Sequence, residues 1–250
     1  MSDPTRLYGL TALVLNAGDG IGEAIARTLA RHGAEVVAVA GANSGAERQY
    51  ETVAGVTGLD AGLTAVDAMA GMVERATAIL GHIDIVVNDF PVQPDAPQQA
   101  VDAGLESILQ TRAGLMTAVR RAVLPQLKES PQGRIINIGL PRSCFAIDGE
   151  SAYAHAEADL ASLTRELAAE TGEFGVSVNY IQPGAIMTPA ARAVFRKDQA
   201  LRDYCISASA ARRLGEPLDV AKVALFFASA DSMFVSGTGV AVDGGPTRAT

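Results

Sequence analysis

"TALVLNAGDGIGEAIARTLARHGAEVVAVA", residues 11–40, reads as a strand, a glycine-bearing turn, a helical stretch and a second strand. Its two apolar runs, 11–15 and 35–40, are short and rich in Val. Such runs predict strands buried on both faces, as in a parallel sheet. The segment between them, near 20–32, is the helical crossover that parallel strands need.

The same alternation continues outward. Further strands are expected at 83–88 ("IDIVVN"), 134–138 ("RIINI"), 176–181 ("VSVNYI") and 239–243 ("GVAVD"). Helices are expected near 65–80, 100–129, 152–173 and 217–229. The glycine-broken stretch 41–63 is expected to hold a short helix at 45–54 and a strand near 55–58. This order predicts an α/β fold, a Rossmann-like doubly wound parallel sheet. Right-handed crossovers then place the strand C-terminal ends along one edge, where a site is expected. The length of 250 residues allows one large domain or two small ones, and no linker or internal repeat divides residues 1–250.

With 48% hydrophobic and 19% charged residues, the composition is that of a globular protein with a large core. The formal net charge of −8 argues against nucleic acid and anionic membrane as partners. The N-terminus has no long apolar run flanked by basic residues, so neither a signal peptide nor a membrane span is expected. Cys144 and Cys205 are far apart and lack metal-type spacing, which predicts free thiols in a reducing cytoplasm. His32, His82 and His155 form no ligand pattern, and no metal site is expected. His32 and His82 each stand beside a glycine near a helix end, a capping context.

Four segments, in order, resemble the short-chain dehydrogenase/reductase family over nearly the whole chain. They are "GRIINI", "SAYAHAEADLASLTRELAAE", "VSVNYIQPGAIMTP" and "RLGEPLDVAKVALFFASADSMFVSGTGVAVDGG". The resemblance implies a fold that binds NAD or NADP and moves a hydride. It also implies a tyrosine as general acid or base, a lysine four residues on, a serine thirteen residues before, and an asparagine on the preceding long helix.

Tyr153 matches the tyrosine, but Glu157 stands at the lysine position, Leu140 at the serine position beside Gly139, and Arg112 at the asparagine position. Ser143 is too close to Tyr153 in sequence to replace the serine directly. A free tyrosine has a pKa of about 10. A charge at ~5 Å in an effective dielectric of ~20 moves it by roughly 3 kcal/mol, or about two units. Exchanging a cation for a carboxylate therefore predicts a protonated, vestigial Tyr153. The opposite charges of Arg112 and Glu157 suggest an ion pair linking the two long helices.

The resemblance implies a cofactor site at the glycine turn, with Gly20, Ile21 and Gly22, and further contacts from Asn88, Pro183, Gly184 and Thr188. Here the turn "LNAGDGIG" has Leu15 and Asn16 for the usual threonine and first glycine, and adds Asp19. Asn tolerates positive φ, so the turn is expected to survive. Asp19 would repel a diphosphate unless a cation intervened. Ala40, Gly41, Ala42 and Asn43 follow the second strand without the family's acid or base, and Gly62 takes the position of the adenine-bonding aspartate. "NDFP" (Asn88–Pro91) replaces N-N-A-G, adding the Phe90 ring and the imino nitrogen of Pro91. These losses predict no bound cofactor, with NAD or NADP as the ligand if the site functions.

Fold residues and assembly helices are kept while hydride chemistry is lost. The first expectation is a catalytically inactive structural or regulatory subunit in a tetramer with an active paralogue. The CoA-ester dehydrogenase of anaerobic toluene (benzylsuccinate) breakdown is of this kind. The alternatives are an active NAD(P)-dependent oxidoreductase with a non-standard site, and a cofactor-free lyase similar to halohydrin dehalogenases. The segment 189–215 falls where the family places its substrate lid, and its basic residues suit either an anionic group or a solvated helix face.

Overall fold

The structure is a computed structural model that describes residues 6–90, 98–145 and 150–246. Seven parallel strands form one sheet: β1 (Thr11–Val14), β2 (Glu35–Ala40), β3 (Val56–Asp60), β4 (Ile85–Asn88), β5 (Arg134–Ile138), β6 (Ser177–Pro183) and β7 (Gly239–Val242). Their order in space is β3-β2-β1-β4-β5-β6-β7. This confirms the doubly wound sheet.

The central strands alternate between two cores. Ala12 and Val14 of β1 face a cluster shared with helices α1 (Gly20–Arg31) and α8 (Pro217–Ala228). Leu13 faces the other side, with α3 (Met69–Leu80), α4 (Gln98–Glu129) and α5 (Glu150–Thr171). Burial on both faces is why these runs carry no polar alternation. The short helix α2 (Ala46–Tyr50) lies between β2 and β3. Gly45 opens it at φ 80° and Gly55 precedes β3 at φ 74°, so the glycines of this stretch bound its elements.

The segment 189–215 folds as two helices, α6 (Pro189–Lys197) and α7 (Gln199–Ala208). Thr188 and Asp198 cap them, accepting from Ala191 N and Leu201 N. The strand order reverses beside β1, which opens a crevice above the C-terminal ends of β1 and β4. Among the described residues, no helix is long and apolar enough to cross a membrane.

Candidate functional site

The turn after β1 keeps its shape. Asn16 adopts φ 54° and Gly20 φ 58°. A Cβ on Gly22 would overlap the carbonyl of Asn16, so the first turn of α1 needs glycine there. Ile21 is buried in the core between α1 and the sheet. From below, Gln49 Nε2 donates to Gly18 O at 2.8 Å and Tyr50 OH donates to Ala17 O.

The groups facing this turn have changed. Asp19 is the N-cap of α1, yet its side chain caps nothing. Burial, and then the nearby Glu23, push its pKa up. Asn16 Nδ2 donates to Asp89 Oδ2 at 3.3 Å, which puts a second carboxylate behind the turn. Thr188 stands over Gly20, its methyl 3.2 Å from where a Cβ would lie, and its hydroxyl is engaged in capping α6.

Asn88 is turned to structural use, its Nδ2 donating to Asn137 Oδ1 at 2.9 Å in the buried layer. Gly184 carries the β6–β7 junction, its N donating to Val242 O. Gly62 has open space around it, and β3 ends before it at Asp60. The Asp60 carboxylate accepts from Ser44 Oγ (2.7 Å), Ala46 N (2.9 Å) and Gly45 N (3.1 Å), contacts that hold its pKa down. Sequence reading missed this acid, whose signal was its position closing the apolar strand run. Phe90 is fully buried, and Pro91 lies outside the described residues.

Tyr153 does not present a free phenol. Its hydroxyl donates to Pro183 O at 2.8 Å. Phe145 meets the ring edge-on at 5.4 Å and the Arg142 guanidinium lies 4.9 Å from its centroid. Arg142 also donates to Tyr204 OH at 2.9 Å, joining the tyrosine to α7. The Tyr153 pKa is pushed up to about 12, chiefly by burial. Gln182 and Arg142 pull it down, while Glu157 and Asp243 add to the rise. The expected direction holds, but burial outweighs the carboxylate.

The expected Arg112–Glu157 ion pair is not formed. Arg112 is buried, and its guanidinium donates through Nη1 to Phe90 O and through Nη2 to Ile138 O (2.8 Å). These carbonyls follow β4 and close β5, so one planar fork ties two strand ends together. The charge that stabilises it is Asp89, not Glu157. A long side chain reaching two buried carbonyls satisfies acceptors that Glu157, on the half-exposed face of α5, cannot offer.

Gln182 is a further residue that no motif signalled. Fully buried, it donates from Nε2 to Leu140 O at 3.0 Å. Its Oε1 lies over Gly139, where any Cβ would overlap it. Leu140 is buried against Phe145 and Ala156, so the family's serine position is apolar and filled.

Asp89 gives a pH dependence. Burial lifts its pKa to about 6 from an ordinary 3.8, against the pull of Arg112 and Asn16. The folded state therefore holds an extra proton between these values. Its contribution is full below about pH 4 and is lost as pH rises through about 6, an effect of about 3 kcal/mol. Urea melts between pH 4.5 and 7.5 should show this decline, and Asp89→Asn should flatten it.

Asp19 at the turn and Asp89 behind it add negative charge near the place where a dinucleotide diphosphate would need donors, while the Thr188 hydroxyl, which accepts from Ala191 N, keeps its own O–H free to donate. No group of His, Cys, Asp and Glu among the described residues is arranged to hold a metal.

The sheet order, the glycine turn at its switch point and the tyrosine helix define a Rossmann-type protein of the oxidoreductase kind. A family model described as enoyl-(acyl carrier protein) reductase matches residues 16–247. Oxidoreductase UcpA of Escherichia coli (strain K12) is 32% identical over 97% of this chain and 96% of its own. The 3-oxoacyl-[acyl-carrier-protein] reductase FabG of Pseudomonas aeruginosa is 35% identical over 96% of this chain and 98% of its own. The FabG of Vibrio cholerae is 30% identical over the same shares. The chain belongs to the short-chain dehydrogenase/reductase family.

Proposed function

We propose that this chain is a subunit that does not itself carry the hydride chemistry of its family and acts in assembly with an active paralogue. The observation that carries this reading is Tyr153, whose hydroxyl is committed to Pro183 O and whose pKa is raised rather than lowered. Leu140 and Arg112 support it, because neither supplies the hydroxyl or the water-holding amide that the family uses. In this reading no dinucleotide is bound, Asp19 and Asp89 repelling the diphosphate.

Assembly uses the long helices. A groove of about 590 Å³ between α4 and α5, lined by Leu109, Met116, Ala156 and Leu160 with Arg112 among its lining residues, is the face we assign to the tetramer. Helices α6 and α7 stand as the lid, drawn to Tyr153 through Arg142 and Tyr204.

Calorimetric titration with NADH and NADPH tests this. No saturable heat to millimolar concentration is expected from the chain alone, together with co-purification of an active paralogue from the native host. Micromolar binding, or only homotetramers from that host, would overturn it.

The second reading is an active NAD(P)-dependent oxidoreductase, which the intact turn at Asn16, Gly20 and Gly22 favours. Its substrate class would follow the FabG relatives, whose name specifies a 3-oxoacyl group on acyl carrier protein. A halohydrin-dehalogenase-like lyase is less compatible with a tyrosine that resists ionisation.

A further inference from the structure

The groove between α4 and α5 carries a charge pattern that restricts what can cover it. Its floor is apolar, with Leu109, Met116, Leu140 and Leu160 among the lining residues. Its rim is acidic. Glu106 of α4 and Asp159 and Glu166 of α5 line it, and all three are exposed. An apolar floor inside a polar rim is the anatomy of a protein–protein contact, and a groove between two helices takes a ridge of side chains from another helix.

The rim is not neutralised from within. Each carboxylate is met by a side chain one turn away on its own helix. Glu106 accepts from Gln110 Nε2 at 3.2 Å and Glu166 from Ser162 Oγ at 3.5 Å, while His155 Nε2 lies 3.8 Å from Asp159. None of these three neighbours holds a permanent positive charge. Among the described residues, the one permanent cation that lines the groove is Arg112. It is buried, and its guanidinium is engaged by Phe90 O and Ile138 O. Arg120 and Arg121 further along α4, and Arg165 on α5, do not line the groove, and Arg120 is paired with Glu170. A two-fold contact between identical copies sets a face against itself. Here that contact would bring three exposed carboxylates from each copy together with no free cation in either groove, and like-charge juxtaposition disfavours such a pairing.

We propose that the α4–α5 groove takes a helix-borne apolar ridge flanked by Lys or Arg on a different protein, and rejects a second copy of this chain. The inference rests on the assembly reading above, to which it adds the charge by which the partner is chosen.

A charge-reversed copy of the full chain stands in for that partner. It combines Glu106→Lys, Asp159→Lys and Glu166→Lys, all at exposed positions. Labelled wild type is titrated with unlabelled variant, or with unlabelled wild type, in sedimentation velocity at pH 8, above the ordinary histidine range. The mixed pair should be tighter than the self-pair. Lowering the salt from about 0.5 M to about 0.05 M should tighten the mixed pair by roughly tenfold and loosen the self-pair. Contacts elsewhere on the chain are common to both titrations. A mixed pair no tighter than the self-pair, including no association at all, would overturn the proposal. If the variant does not fold, the neutral set Glu106→Gln, Asp159→Asn and Glu166→Gln takes its place. It should self-associate more tightly than the wild type at low salt, and no gain refutes the proposal. The calorimetric titration separates the two claims. Dinucleotide binding would overturn the non-catalytic reading and leave the pairing result unchanged, whereas failed pairing with silent calorimetry removes this inference alone.

Discussion

Arg112→Met should destabilise the chain by about 3–5 kcal/mol, the range for removing one partner of a buried charged network. The guanidinium is the donor for Phe90 O and Ile138 O, so its loss leaves two buried carbonyls without it. Each such carbonyl costs about 1–3 kcal/mol. The substitution also removes the charge that pulls the Asp89 pKa down. Asp89 should then hold its proton to higher pH, and the loss of stability should be greater at pH 8 than at pH 5. Urea unfolding at both values measures this. Arg112→Lys should recover only part, since an ammonium cannot span two carbonyls as a planar fork. A loss under about 1 kcal/mol would mean that water replaces the guanidinium.

Glu157→Lys should lower the Tyr153 pKa by about two to four units, because it removes a charge that opposes the phenolate and adds one that favours it. From about 12, this brings the phenol into a range that ultraviolet difference titration can follow. Tyr153→Phe in the Glu157→Lys background identifies the transition. Burial and the bond to Pro183 O remain in the variant, so the shift measures the charge alone. A shift below half a unit would show that solvent screens position 157 from the ring.

Much of the frame was legible. Buried strands such as Glu35–Ala40 and Arg134–Ile138 fall where the unbroken Val and Ile runs put them. Two-sided burial leaves a signature that needs no knowledge of neighbours. The stretch 41–63 was harder, because two turns of glycine punctuate elements too short to show a period, and β3 runs two residues past the expected end to include Asp60.

The site was legible as a set of positions and not as a set of contacts. Alignment placed Arg112 and Glu157 on facing helices, and opposite charge made a pair the natural reading. It carried no information on the carbonyls at the ends of β4 and β5, which are acceptors whatever the sequence. Gln182 was invisible for a related reason. It lies in a strand whose outline is ordinary, and its importance arises only from proximity to Leu140 and Gly139. The protonated state of Tyr153 was anticipated, although its leading cause is enclosure rather than the substituted neighbour.

The packing of Gln182 Oε1 on Gly139 couples those two positions. A Cβ at 139 would overlap that oxygen, so a larger residue there requires the glutamine side chain to swing away. The bond from Nε2 to Leu140 O would move with it, so filling position 139 is felt at the carbonyl of its neighbour.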